Sequence, residues 1–229
     1  MNLPTFSRRR ALALAALTAS IFAAAAPAAA TEHWTYEVTV TNLTYRQQFT
    51  PLLLVTHRPE LRLFKAGDPA RPELATLAEE GNVAPLRALL DASPQVTSTS
   101  AGTGLLDPGK SVTFTVQGHP RDRLSLAAML IPTNDAFVAL DAVALPLPSQ
   151  PGSHTAIAYD AGSEVNDELC ASIPGPFFAE CGGSGGGARA GNGEGFVHVH
   201  RGMHGIGSFQ AHVRDWRNPV ARVTVRVLR

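Results

Sequence analysis

Apolar and polar residues alternate along this chain in short runs, with the two-residue period of half-buried β-strands. The clearest runs are WTYEVTVTNLT at 34–44, SVTFTVQ at 111–117 and VARVTVRVLR at 220–229. Their apolar teeth are Tyr36, Val38 and Val40; Val112, Phe114 and Val116; and Val223, Val225 and Val227. PLLLVT at 51–56 reads as a buried strand, and RLSLAAMLI at 123–131, FVALDAVAL at 137–145, AIAY at 156–159 and FVHVH at 196–200 predict further ones. Asp107-Pro108-Gly109 marks a turn before one of them. The period changes once. In LATLAEEG, Leu74, Leu77 and Ala78 share one helical face, Gly81 and Asn82 stop the helix, and Pro85 opens a second short one. Seven to nine short strands with one helical insertion predict an all-β fold, an antiparallel β-sandwich.

The first thirty residues stand apart from this pattern. Arg8, Arg9 and Arg10 precede an Ala-rich apolar run that closes on Ala28-x-Ala30. That is the layout of a secretory signal peptide cleaved after Ala30, with Ser7-Arg8-Arg9 loosely matching a twin-arginine signal; an N-terminal membrane anchor is the alternative. The expected domains are a signal peptide at 1–30 and one β-sandwich at 31–229, secreted or periplasmic. Lys plus Arg and Asp plus Glu both number 19, for a net charge of zero. This argues against nucleic acid or an anionic membrane surface as partner, since both call for a basic patch. Export to an oxidising compartment makes a Cys170–Cys181 disulfide the default, with free or metal-bound thiols as the alternative.

Only 17% of the residues are charged, yet acids gather in two loops. Asp135 and Asp141 form one cluster; Asp160, Glu164, Asp167 and Glu168 form the other. Ala161-Gly162-Ser163 makes a tight turn that lets Asp160 and Glu164 face one point, with Asp135 arriving from elsewhere. Converging carboxylates repel, and a hard cation such as Ca²⁺, which takes 6–8 oxygen ligands, relieves that repulsion. The competing reading is solvated turn acids. Asp141, Asp167 and Glu168 are expected to be surface acids.

PTNDAFVALDAV, YDAGSEVND and PVARVTVRVLR, in that order, resemble the spondin N-terminal domain of F-spondin and mindin, and LATLAEEGNVAPLRALL resembles that family's helix. The resemblance spans 34–229. It implies a secreted, C2-like β-sandwich holding one Ca²⁺ through Asp135, Asp160 and Glu164, with Glu164 standing where the family usually has Asp. The Gly-rich segment 182–195 and the His-rich segment after it resemble bacterial members. The function so implied is an extracellular binding or adhesion module for a protein or glycan, without catalysis.

A second reading attaches to HVHRGMH. His198, His200 and His204 suit Zn²⁺ or Cu²⁺, which would make the protein an exported metal-binding protein or metalloenzyme. Against it stand the lack of an evident acidic partner and the ordinary reading of polar residues at a sheet edge. Gly182-Gly183-Ser184-Gly185-Gly186 matches G-x-S-x-G but lacks the strand and helix that a nucleophile elbow requires. The segment reads as a spacer.

Overall fold

The structure, a computed structural model, describes Met1 and residues 33–175, 178–183, 185–187 and 191–228. The expected signal peptide, like Ser184, lies outside the described residues. Residues Thr31–Arg229 form one unit.

The alternating runs become strands where expected: β1 (Trp34–Asn42), β5 (Ser111–Gly118) and β10 (Ala221–Val227), with β3 (Leu53–His57), β6 (Arg123–Ile131), β7 (Ala136–Ala144) and β8 (Gly152–Asp160). Helices α1 (Pro72–Glu80) and α2 (Ala84–Asp91) form the insertion. Three short elements were not legible. β2 (Gln48–Phe49) is too brief to show a period, β4 (Val96–Ala101) is mostly Thr and Ser, and α3 (Ala211–Arg214) is a single turn. FVHVH contracts to β9 (His198–Val199).

All strand pairings among the described residues are antiparallel, in the order β4-β3-β6-β7-β8-β10-β1-β5, with β2 on β6 and β9 on β8. The expected sandwich is therefore one continuous sheet curled on itself, its end strands β4 and β5 approaching each other. Tyr36, Val38 and Val40 meet Leu124, Leu126, Val138, Ala158, Val223 and Val225 in the interior cluster. Curling puts the teeth of both halves of the sheet into one core.

A second apolar cluster lies on the other face. Leu53, Val55, Ala127, Phe137 and Ala139 pack against Leu74, Leu77, Ala78, Leu86 and Leu90 of the two helices. Strands β3, β6 and β7 are thus buried on both faces, which is why their sequences run apolar without alternating. Each leucine buried under this lid contributes about 2 kcal/mol. Gly81 ends α1 with φ 67° and donates to the Leu77 carbonyl at 2.9 Å, while a Cβ there would collide with the Thr50 side chain. Both the turn and the packing require glycine at that position.

Candidate metal site at the β7–β8 end

Asp135 is the last residue before β7, and Asp160 closes β8. Ala136 pairs with Asp160 in the antiparallel register, and the Asp135 carbonyl accepts from Ala161 N–H at 3.1 Å. Strand pairing thus brings together two acids 25 positions apart in sequence. Both are buried, at 0% and 1% exposure.

The Asp135 carboxylate is held on one side only. Its Oδ2 accepts from the backbone N–H of Ser163 at 2.8 Å and of Glu164 at 3.0 Å, and from Ser163 Oγ at 3.2 Å. Its Oδ1 is buried and carries no hydrogen bond. Burial, and then the neighbouring Asp160 charge, push the Asp135 carboxyl up to about 7, against the pull of those donors. Burial also raises Asp160, opposed by donation from Asn166 and Gly162. Those donors reach Asp160 Oδ1 from Gly162 N–H at 2.7 Å and Oδ2 from Asn166 Nδ2 at 2.8 Å. Glu164 is buried beside them and joined to Asp135 through its own backbone N–H. The structure therefore brings the Asp135 and Asp160 carboxylates together at the Ala161–Ser163 turn, with Glu164 joined to them through its backbone N–H; the group of three ligand side chains within 4.8 Å of one another among the described residues is instead Asp160, Glu194 and His198. Two adjacent buried carboxylates, one with an unsatisfied oxygen, need either a proton or a cation.

Gly162, in the middle of that turn, has φ 67°, and a Cβ on it would run into the Phe196 backbone. Gly195 N–H donates to the Gly162 carbonyl at 2.8 Å, and Val165 N–H to the Gly191 carbonyl at 2.9 Å. The segment after the Gly-rich stretch thus lies directly on the acid-bearing turn. That docking brings Glu194 and His198 to Asp160. The ligand atoms of Asp160, Glu194 and His198 all lie within 4.8 Å of one another. His198 Nε2 stands 3.7 Å from Asp160 Oδ1 and 3.5 Å from Glu194 Oε2. Burial acts to lower His198, but the Val199 carbonyl, Asp160 and Glu194 outweigh it and raise it.

The three histidines do not converge on one point. His200 lies 3.7 Å from Asp160 Oδ2, stacks at 4.9 Å on buried Trp216 and faces Asn166 Oδ1 at 3.2 Å. Its Nδ1 accepts from Gly202 N–H at 3.0 Å, and burial, aided by His198 and His204, lowers it to about 3. It is a neutral imidazole already engaged on both nitrogens. His204 lines the same cavity as His198 and His200 but leans on Glu168, 4.0 Å away. The acidic partners that the sequence did not reveal are therefore Asp160, Glu194 and Glu168. Glu194 carried no usable signal, being one acid within a run of glycines.

The other acids need correction as well. Glu168 is buried rather than a surface acid, and its carboxylate gathers the N–H groups of His204 and Gly205 at 2.6 Å each and of Ile206 at 3.0 Å. Asp167 binds Asn134 Nδ2 and Leu169 N–H at 2.9 Å each and Ser172 Oγ at 2.6 Å. Asp141 is half-buried, accepting from Leu63 N–H at 3.2 Å and pairing with Arg62 at 3.1 Å. All three are structural acceptors. Cys170 and Cys181 form the expected disulfide, with Cα atoms 5.5 Å apart.

The fold is an all-β, curled antiparallel sheet with buried acids gathered at its β7–β8 end. The Spondin_N family model matches residues 29–163, more than half of the chain, and the protein belongs to that family, of the spondin N-terminal domain. The match takes in Asp135, Asp160 and the Ala161–Ser163 turn; Glu164, Glu194 and the histidines lie beyond it. No curated protein matches the chain. Among the described residues no helix is long and apolar enough to cross a membrane.

Proposed function

We propose that this protein is a secreted, calcium-binding, non-catalytic module whose loop end engages an extracellular protein or glycan. Family membership supports the extracellular binding role. The observation that carries the calcium reading is Asp135 Oδ1, a fully buried carboxylate oxygen without a hydrogen bond, next to a second buried carboxylate. The donor set suits the ion. Asp135, Asp160 and Glu164 offer carboxylate oxygens, the ligands that a hard cation prefers over nitrogen or sulfur. Bound there, Ca²⁺ would neutralise the acids and tie the loop before β7 to the turn after β8. A fixed loop end presents one surface to a partner, and so loses less freedom on binding than a mobile one.

Thermal melting of the EDTA-treated protein with and without Ca²⁺ tests the calcium reading. Wild type is expected to melt at higher temperature with Ca²⁺, and Asp160→Ala to lose that rise. A wild-type melting temperature indifferent to Ca²⁺ would sink it.

A further inference from the structure

We infer that Asp160, Glu194 and His198 form a second site, sharing Asp160, for a divalent transition-metal ion of the Zn²⁺ class at the mouth of the cavity above the acid-bearing turn. The donor spacing suits such an ion. Tetrahedral coordination at about 2.0–2.1 Å puts neighbouring ligand atoms about 3.3 Å apart. His198 Nε2 already stands 3.5 Å from Glu194 Oε2 and 3.7 Å from Asp160 Oδ1.

The imidazole is also oriented for the task. His198 Nδ1 lies 3.2 Å from its own neighbour's carbonyl, Val199 O. A proton on Nδ1 donating to that carbonyl leaves the Nε2 lone pair pointing between two carboxylates. Backbone carbonyls set the tautomer of metal-binding histidines in this way. Nε2 is buried from solvent and faces the two carboxylates at 3.5 and 3.7 Å, with no hydrogen-bonded group in between.

The same atoms open on a cavity of about 210 Å³, lined in addition by Val165, Arg201 and Ile206. The half-exposed Glu194 side chain stands at its edge, where an ion can enter. Three protein ligands leave a fourth position facing the cavity, open to water or to a carboxylate of a bound partner. One nitrogen with two carboxylate oxygens favours a first-row transition ion over Ca²⁺, which takes oxygen donors almost alone. The site also differs from a three-histidine site: His200 spends Nδ1 on Gly202, and His204 leans on Glu168.

The inference does not rest on the calcium reading, although Asp160 serves both. Calorimetric titration of the EDTA-treated protein with Zn²⁺ tests it, beside Ca²⁺-dependent melting of the same samples. Wild type is expected to bind one Zn²⁺. Glu194→Gln, on an exposed loop residue that folding does not need, is expected to weaken Zn²⁺ at least tenfold, and His198→Ala by about a hundredfold, with the Ca²⁺ response retained in Glu194→Gln. His204→Ala is expected to keep wild-type Zn²⁺ affinity. Absence of Zn²⁺ binding by wild type, or Zn²⁺ affinity unchanged in Glu194→Gln and lost in His204→Ala, overturns the inference. Zn²⁺ binding that follows Glu194 and His198 in a protein without a Ca²⁺ response upholds it while the calcium reading fails.

Discussion

Replacing Asp135 with Asn gives a prediction in which two effects have opposite signs. The substitution keeps shape and an acceptor oxygen, so Ser163 N–H, Ser163 Oγ and Glu164 N–H retain their partner. It removes the charge and puts an amide where Oδ1 has no hydrogen bond. In the folded wild-type protein without a cation, the Asp135 carboxyl is raised from 3.8 to about 7. The folded state then binds more protons than the unfolded state between about pH 4 and pH 7, so stability falls as pH rises through that window. At 1.36 kcal/mol for each pH unit, the ionised group costs up to about 4 kcal/mol above pH 7. Asp135→Asn escapes that cost. In EDTA at pH 8 it should be the more stable protein by about 2–4 kcal/mol, and near pH 4 the two should converge. Ca²⁺ offsets most of that difference. At a hundredfold excess over Kd it adds about 2.7 kcal/mol to wild type and little to the variant, which has lost a ligand charge. Urea unfolding at pH 4.5, 6, 7 and 8, with EDTA or Ca²⁺, reads both effects. Parallel pH profiles in EDTA would refute the raised Asp135 carboxyl, which burial drives first and the Asp160 charge second, and equal Ca²⁺ stabilisation of both proteins would remove Asp135 from the ion.

Other residues give plainer expectations. Gly162→Ala should cost several kcal/mol in unfolding free energy, or undock the 191–197 segment, because its Cβ would meet the Phe196 backbone; faster amide exchange at Gly195 would report the undocking. Glu168→Ala leaves the N–H groups of His204, Gly205 and Ile206 without their acceptor and should cost about 2–4 kcal/mol by urea unfolding, with faster amide exchange at those positions. Replacing Cys170 and Cys181 together by Ser removes a crosslink between residues 11 apart and should cost about 3 kcal/mol; an unchanged urea midpoint would show that the crosslink does not stabilise the fold.

The strands were legible wherever one face met solvent, because alternation is then imposed by the pleat itself. Val38 and Val225 point into the core while their neighbours stay at the surface, and the sequences say so. β6 and β7 were legible for the opposite reason, as apolar runs, although what covers their second face was not. The α1 face of Leu74, Leu77 and Ala78 announced a buried side but not its partner, the outer face of β3, β6 and β7. β4 was missed because a half-buried strand of Thr, Ser and Ala carries little hydrophobic contrast.

For the candidate site, the sequence by itself determined that acids would stand at strand ends, that Gly162 would turn the chain between Asp160 and Glu164, and that the chain resembles the spondin N-terminal domain. These are local properties of residue type and spacing. Only the tertiary structure decided which acids meet. Asp135 reaches Asp160 through the β7–β8 register, and Glu194 and His198 reach it because residues 191–197 lie on the Gly162 backbone. Only the structure, too, made Glu168 a buried acceptor, since that depends on the path of residues 204–206 far along the chain. Burial and charge proximity arise from contacts between segments distant in sequence, and they turn an acid-rich loop into a place where a proton or a cation must offset the charge.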